Sequence, residues 1–324
     1  MSAIFKLRII GALLFLLSVV ACGKLEDLKL ALEDKEGGII GTGIVGTITG
    51  IGSIYVNGIH VIYDDDLKVK TAFGNESPKQ LIPGDTVSVE AIPDGAVFKA
   101  TSIERYRPII APIEAIADDR SWLEVLGVRV LINEATRIIM ERRSEEIDRD
   151  DLPVGAWVAV SGIWRDDHVV ASGIRWISAK RTASVRGVLE RTAEGSLQIG
   201  GVRLTNAKGL AGKIGRMVAA RGTITRDRAE TSLVVHHVAA KRFSAKIQRL
   251  FVEGFTSTPT PDGAYTIYGS GLTSFTDDPS MSMPDSRSMF CGVLNGSFDI
   301  ENTIGLPEDR AQREALSLTS CHSQ

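Results

Sequence analysis

The stretch Gly46-Thr-Ile-Thr-Gly-Ile-Gly-Ser-Ile-Tyr-Val-Asn-Gly-Ile-His-Val61 constrains the fold of this chain more than any other. Ile54 and Val56 alternate with Ser53 and Tyr55, the period-two pattern of a strand with one buried face. Asn57-Gly58 follows, and both residue types tolerate the positive φ of a two-residue hairpin turn. The segment reads strand, turn, strand. An isolated hairpin is marginal in water, so this one must belong to a larger sheet.

Variants of the pattern recur. In the first passage residues 53–56 pair with 59–63, a polar stretch follows over 73–81, and strands resume at Gly84-Asp-Thr-Val-Ser-Val89 and at 97–103. In the second, residues 122–125 pair with 128–132 across Leu126-Gly127, and strands resume after Gly155 and at 169–174. In the third, residues 196–199 pair with 202–204 across Gly200-Gly201, and strands resume after Gly215 and at 233–238. Gly84, Gly155 and Gly215 stand 71 and 60 residues apart, the third copy being shorter in its polar connector. Length changes in a connector between kept strands are what a repeated domain shows.

Three strands, a polar connector able to hold one helical turn, then two strands is the order of the OB-fold, a five-stranded Greek-key barrel. Small sandwiches are the competing architecture. The expected fold is all-β: about three tandem OB-like β-barrels plus a divergent C-terminal β unit with a short helix. With 324 residues the chain is too long for one ordinary core. The expected divisions are a signal over residues 1–21, a tether over 22–40, barrels over 41–107, 108–180 and 181–243, and the divergent unit over 244–324. In that last unit residues 264–268 and 272–275 mimic the early hairpin, residues 276–289 read as a loop, and residues 307–318 suit a short helix with Pro307 in its first turn.

The N-terminus reads as an address. Lys6 and Arg8 precede an apolar run from Ile9 to Ala21, shorter than the roughly 20 residues that cross a bilayer. Val19-Val20-Ala21-Cys22-Gly23 resembles the bacterial lipobox, which implies lipidation of Cys22, cleavage after Ala21 and a membrane anchor. An ordinary signal peptide with an incidental cysteine is the alternative. Gly23 stands where an aspartate is associated with inner-membrane retention, which points to the outer membrane, facing the periplasm. Residues 24–37 read as a solvated tether, with a short amphipathic helix as the alternative. In an exported protein the remaining cysteines, Cys291 and Cys321, are expected to pair; two free thiols are the alternative.

The run Gly41-Thr-Gly-Ile-Val-Gly46, with Gly52-Ser-Ile-Tyr-Val-Asn-Gly58 and the later Gly84-Asp-Thr-Val-Ser-Val89, resembles the bacterial domain of unknown function 5666. The likeness is clear over residues 41–107, weaker over 109–178 and 183–242, and fades after 256. It implies tandem β-barrels in the cell envelope. That family has no assigned chemistry, so no functional residue carries over.

The residues themselves supply no catalytic constellation, and neither a cofactor nor a metal is expected. Gly41-x-Gly43-x-x-Gly46 matches a dinucleotide fingerprint by letter, but a charged tether precedes it and β-rich sequence follows, where that motif needs a strand before and a helix after. His236 and His237 are neighbours, so on a strand they point to opposite faces. Asp64-Asp65-Asp66 has oxygen ligands suited to a hard cation, but aspartates recur at turns throughout the chain. Ser270 lies between two glycines without a nucleophile elbow around it.

Basic residues gather near the joins between units: Arg175, Lys180, Arg181 and Arg186, then Lys241, Arg242, Lys246 and Arg249. OB-folds bind single strands or sugars with a basic groove and stacking aromatics. Trp157, Trp164 and Trp176, with Arg175, Lys180 and Arg181, are the candidate ligand contacts; a place in the barrel wall is the plainer role for Trp157 and Trp176. The net charge of −3 gives no broad drive toward nucleic acid. The expected function is a non-enzymatic envelope lipoprotein, a spaced scaffold of barrels that binds a protein or an envelope polysaccharide. The rival is an envelope hydrolase or modifying enzyme with its site in the divergent C-terminal region.

Overall fold

The computed structural model describes residues 41–318, except 144, 208, 228–229, 240–242, 244–245, 276–277 and 296. Barrel 1 contains β1 (Gly41–Ile51), β2 (Ile54–Val56), β3 (Ile59–Ile62), an inserted hairpin of β4 (Val69–Thr71) and β5 (Gly74–Glu76), then β6 (Thr86–Asp94) and β7 (Val97–Tyr106). β1, β2 and β3 pair antiparallel in turn, β3 runs parallel to β7, and β6 pairs with both β7 and β1. The ring of five strands is closed in the OB order. Its inward residues, among them Ile44, Ile48, Ile54, Val56, Val61, Val87, Val89 and Ile103, are fully buried. Each such side chain contributes about 1.5–3 kcal/mol by leaving water.

Barrel 2 repeats the plan with β8 (Ile109–Ile116), β9 (Trp122–Val125), β10 (Val128–Leu131), an insertion of β11 (Arg137–Met140) and β12 (Glu145–Glu146), β13 (Trp157–Arg165) and β14 (His168–Trp176). Barrel 3 has β15 (Ala183–Arg191), β16 (Leu197–Ile199), β17 (Val202–Thr205), β18 (Met217–Asp227) and β19 (Glu230–Ala239), with no inserted strands among its described residues. Both rings close as the first does, through parallel pairs β10–β14 and β17–β19. The missing insertion accounts for the short third connector.

The early turns behave alike. Asn57-Gly58 has φ of 48° and 83°, Leu126-Gly127 57° and 72°, and Gly200-Gly201 52° and 83°. Leucine resists that left-handed conformation, and the complete burial of Leu126 holds it there. Each connector also carries the expected single helical turn, a 3₁₀ turn at Pro78–Gln80, Arg149–Asp151 and Ala211–Lys213.

The C-terminal unit keeps more of the plan than its sequence shows. It contains β20 (Ile247–Gly254), β21 (Ala264–Ile267), β22 (Leu272–Phe275), a 3₁₀ turn at Pro279–Met281, β23 (Ser288–Asn295) and β24 (Ser297–Gly305). β20 pairs with β23, β23 with β24 and β21 with β22, while a Thr256–Ile267 bridge ties the end of β20 to β21. β22 and β24 meet without a ladder; the Ser274 hydroxyl donates to the Phe298 carbonyl at 2.5 Å. This is a fourth barrel, open at one seam. A bulge in the fifth strand of every unit supports the equivalence, at Thr101, Ser172, His236 and Glu301, opposite the fourth-strand steps Glu90/Ala91, Ser161/Gly162, Arg221/Gly222 and Cys291/Gly292. A Cβ on Gly222 would lie 1.8 Å from the Val234 carbonyl oxygen, and one on Gly292 1.9 Å from that of Asp299. Helix α1 (Arg310–Glu314) follows, capped by the Asp309 carboxylate on the Gln312 amide. That cap starts the helix beyond Pro307, later than the sequence pattern suggests.

The barrels are zipped together rather than spaced. The first half of β1 pairs in parallel with β20, Gly43 opposite Leu250 and Val45 opposite Val252. The start of β8 pairs with β15, Ile109 opposite Val185. An unpaired strand edge would invite association, and here each is covered by the first strand of another barrel. Glycines permit the approach: a Cβ on Gly43 would meet the Leu250 side chain at 2.6 Å, and one on Gly46 the Glu253 carboxylate at 3.2 Å. The letter match to a dinucleotide loop is therefore part of a strand.

Candidate functional site

The joins between barrels hold most of the buried charge. Glu253 on β20 is fully enclosed. Its Oε2 accepts from the Thr47 amide at 2.6 Å and the Asn57 side chain at 2.7 Å, and its Oε1 from Arg287 Nε at 2.5 Å and Arg313 Nη1 at 3.5 Å. Burial pushes its carboxyl up, but the two guanidinium groups and two hydrogen bonds more than offset this, holding it below its ordinary value. Burial pulls Arg313 down to about 10. These three residues, which the sequence reading did not single out, clamp barrel 1, the fourth barrel and α1. Their signal in the sequence is an acid inside the apolar run Leu250-Phe-Val-Glu253.

Two expected contacts are structural. Trp164 is buried, and its Nε1 donates to the Arg186 carbonyl at 2.8 Å. Gly187 and Gly200 of barrel 3 and Gly269 of the fourth barrel press so close that a Cβ on any of them would meet its ring within 3.0 Å. Trp164 therefore fills the meeting point of three barrels and offers no face to a ligand. Arg175 faces Asp85 at 3.3 Å and donates to the Gln80 carbonyl, joining barrels 1 and 2.

Trp157 and Trp176 are half-buried and line a cleft of about 630 Å³, together with Met140, Arg142, Arg143 and the exposed Val154. Lys180 and Arg181 line a second cleft of about 360 Å³. Ile177 belongs to both, so the linker between barrels 2 and 3 forms the ridge between them. The second cleft also takes in Phe73 from the tip of the β4–β5 hairpin, Arg105, Arg107, Glu76, Glu141, Arg186 and Arg221. Its floor is fixed. Arg105 pairs with Glu76 at 2.6 Å and Asp85 at 3.4 Å, and burial pulls its guanidinium below the ordinary value, with Asp85 opposing. Arg186 pairs with Glu104 at 2.9 Å and lies over the Tyr106 ring. Arg221 lies 4.6 Å above Phe73. The sequence reading missed Arg105, Arg107, Arg142, Arg143, Arg221 and Phe73, which reach the clefts from three different units.

The remaining candidates are local. Asp64 pairs with Lys99 at 3.0 Å. The Ser270 hydroxyl donates to the Ile267 carbonyl and accepts from the Leu272 amide, stapling a turn. His60 stacks on Tyr55 and His236 meets Thr223. Among the described residues no three His, Cys, Asp or Glu side chains gather as a metal site, and no helix is long and apolar enough to cross a membrane. Cys291 is buried on β23, whereas Cys22, Cys321, Lys241 and Arg242 lie outside the described residues.

Fold and joins together define a protein of tandem five-stranded barrels locked through shared strand edges. Residues 42–104 and 111–175 each match the family model of Domain of unknown function (DUF5666), so barrels 1 and 2 are tandem domains of that family. Barrel 3 and the open fourth barrel extend the same strand order beyond the matched segments. Neither a curated protein nor a solved structure matches the chain.

Proposed function

We propose that this chain is a non-enzymatic lipoprotein of the bacterial cell envelope, anchored through Cys22, whose barrels bind an envelope polysaccharide. The observation that carries the reading is the pair of half-buried tryptophans, Trp157 and Trp176, on a cleft of about 630 Å³ beside a basic cleft. Flat aromatic faces in a concavity suit sugar rings, and the volume falls within the range of ligand sites. A concave site of this kind favours a polysaccharide over the flat contact a protein partner requires. The rival, an enzyme with its site in the C-terminal unit, is weakened by Glu253. Both oxygens of that carboxylate are engaged by four donors, leaving no lone pair poised for acid–base work.

The anchor reading rests on the lipobox-like sequence, and the envelope setting follows from it. A Cys291–Cys321 disulfide belongs to the same proposal. Leu318 packs into the core cluster that contains Cys291, and three further residues reach at most about 10 Å. Titration of the full chain with polygalacturonate and dextran, read by tryptophan emission, tests the binding. At least one polysaccharide should shift the emission, and Trp157→Ala with Trp176→Ala should abolish binding read by calorimetry, which needs neither tryptophan as a probe. No shift with either overturns the reading. Cys22→Ser should move the protein from the membrane to the soluble fraction.

A further inference from the structure

The geometry points to an acidic polysaccharide as the ligand, its carboxylate groups held in the cleft of about 360 Å³ between barrels 1, 2 and 3 while neutral ring faces lie on Trp157 and Trp176. This rests on the polysaccharide-binding reading and adds the class of sugar.

The charge balance of that cleft is lopsided. Six cations line it, Arg105, Arg107, Lys180, Arg181, Arg186 and Arg221, with the carboxylates Glu76 and Glu141, while Asp85 and Glu104 pair with Arg105 and Arg186 from beneath it. Glu76 is already spent on Arg105 and Arg107. Lys180, Arg181 and Arg221 make no ion pair among the described residues, although the chain as a whole is negative. Such cations within one concavity reinforce each other over about 8–10 Å at physiological salt and draw an anion into it.

Arg221 adds directional chemistry. Its guanidinium is held over the Phe73 ring, which occupies the face of the group and leaves its edge of N–H donors free. A planar fork with a free edge matches a carboxylate in two parallel hydrogen bonds. Phe73 is supplied by the β4–β5 insertion of barrel 1, and Arg142 and Arg143 by the β11–β12 connection of barrel 2. The two connectors that are longer than the third thus build the walls. A compact cleft beside a tryptophan pair favours sugar acids over a nucleic acid strand, which needs cations spread along a tracking groove.

The test compares polygalacturonate with its fully methyl-esterified form, so that ring and linkage are constant and only the charge differs. Calorimetry on the full chain should give at least about tenfold tighter binding of the acidic form, weakening steeply as salt rises. Lys180→Gln with Arg181→Gln should erase that preference while the thermal unfolding curve is unchanged, since both side chains are exposed. Arg221→Lys, which keeps the charge but loses the fork, should weaken only the acidic form. Equal binding of both forms overturns the acidic class while leaving polysaccharide binding in place. Binding of neither form overturns the acidic class, and if dextran is silent as well the polysaccharide reading falls with it. Tighter binding of oligo(dT) than of polygalacturonate overturns the sugar assignment.

Discussion

At the scale of single residues the chain resolves into keystones and lining groups, and the distinction is one of neighbours. Trp164→Ala should cost about 3–5 kcal/mol, because three glycine backbones cannot close on the space it leaves; urea unfolding measures it. Trp157→Ala, at the rim of a cleft, should cost much less. Glu253→Gln should cost about 3–5 kcal/mol at neutral pH, since Arg287 and Arg313 stay buried without their counter-charge. The sign of its pH dependence follows from a carboxyl held below 4.5 in the folded chain. Its stabilisation is complete above the unfolded value and is lost as pH falls through the depressed folded value. Glu253→Gln should therefore flatten the decline of stability in acid, as denaturant midpoints across that range would show. The local pattern offers the barrel wall as the plainer role for Trp157 and Trp176 and gives Trp164 none, whereas the fold buries Trp164 the most deeply of the three. What separates them is contact with Gly187, Gly200 and Gly269, residues of units that the local pattern does not connect.

At the scale of elements the repeat was legible wherever local chemistry dictates the backbone. Asn57-Gly58 and Gly200-Gly201 mark their turns openly, and the polar connectors hold the expected helical turns. The hairpin of the fourth barrel is legible, but its last two strands, β23 and β24, are not, because Asp285 stands where Gly84, Gly155 and Gly215 mark the others. Their readable trace is Gly292, the equivalent of Gly162 and Gly222 opposite the bulge. The clefts were legible only in part, since Lys180 and Arg181 lie on a linker but Phe73 and Arg221 meet through the fold. Gly222→Ala should drive its methyl into the Val234 carbonyl and lower the melting temperature by well over the effect of Gly195→Ala. Gly195, unlike Gly222, has a positive φ, but it has open space around it and should cost only about 1 kcal/mol. Parallel thermal melts of the two variants check the difference.

At the scale of the whole molecule the organising device is edge sharing. Ending the chain at residue 243 would strip β20 from β1 and leave Gly41–Val45 as an open edge. Such a fragment should associate more than the full chain does, as light scattering after size exclusion would reveal. The parallel clasp between β1 and β20 also has a consequence in time. Thr47 waits for Glu253, 206 residues later, and for Arg287, 240 residues later, before its partners exist. β1 thus stays unfinished until the fourth barrel has emerged, so whatever guards a half-made molecule must stay with it until then.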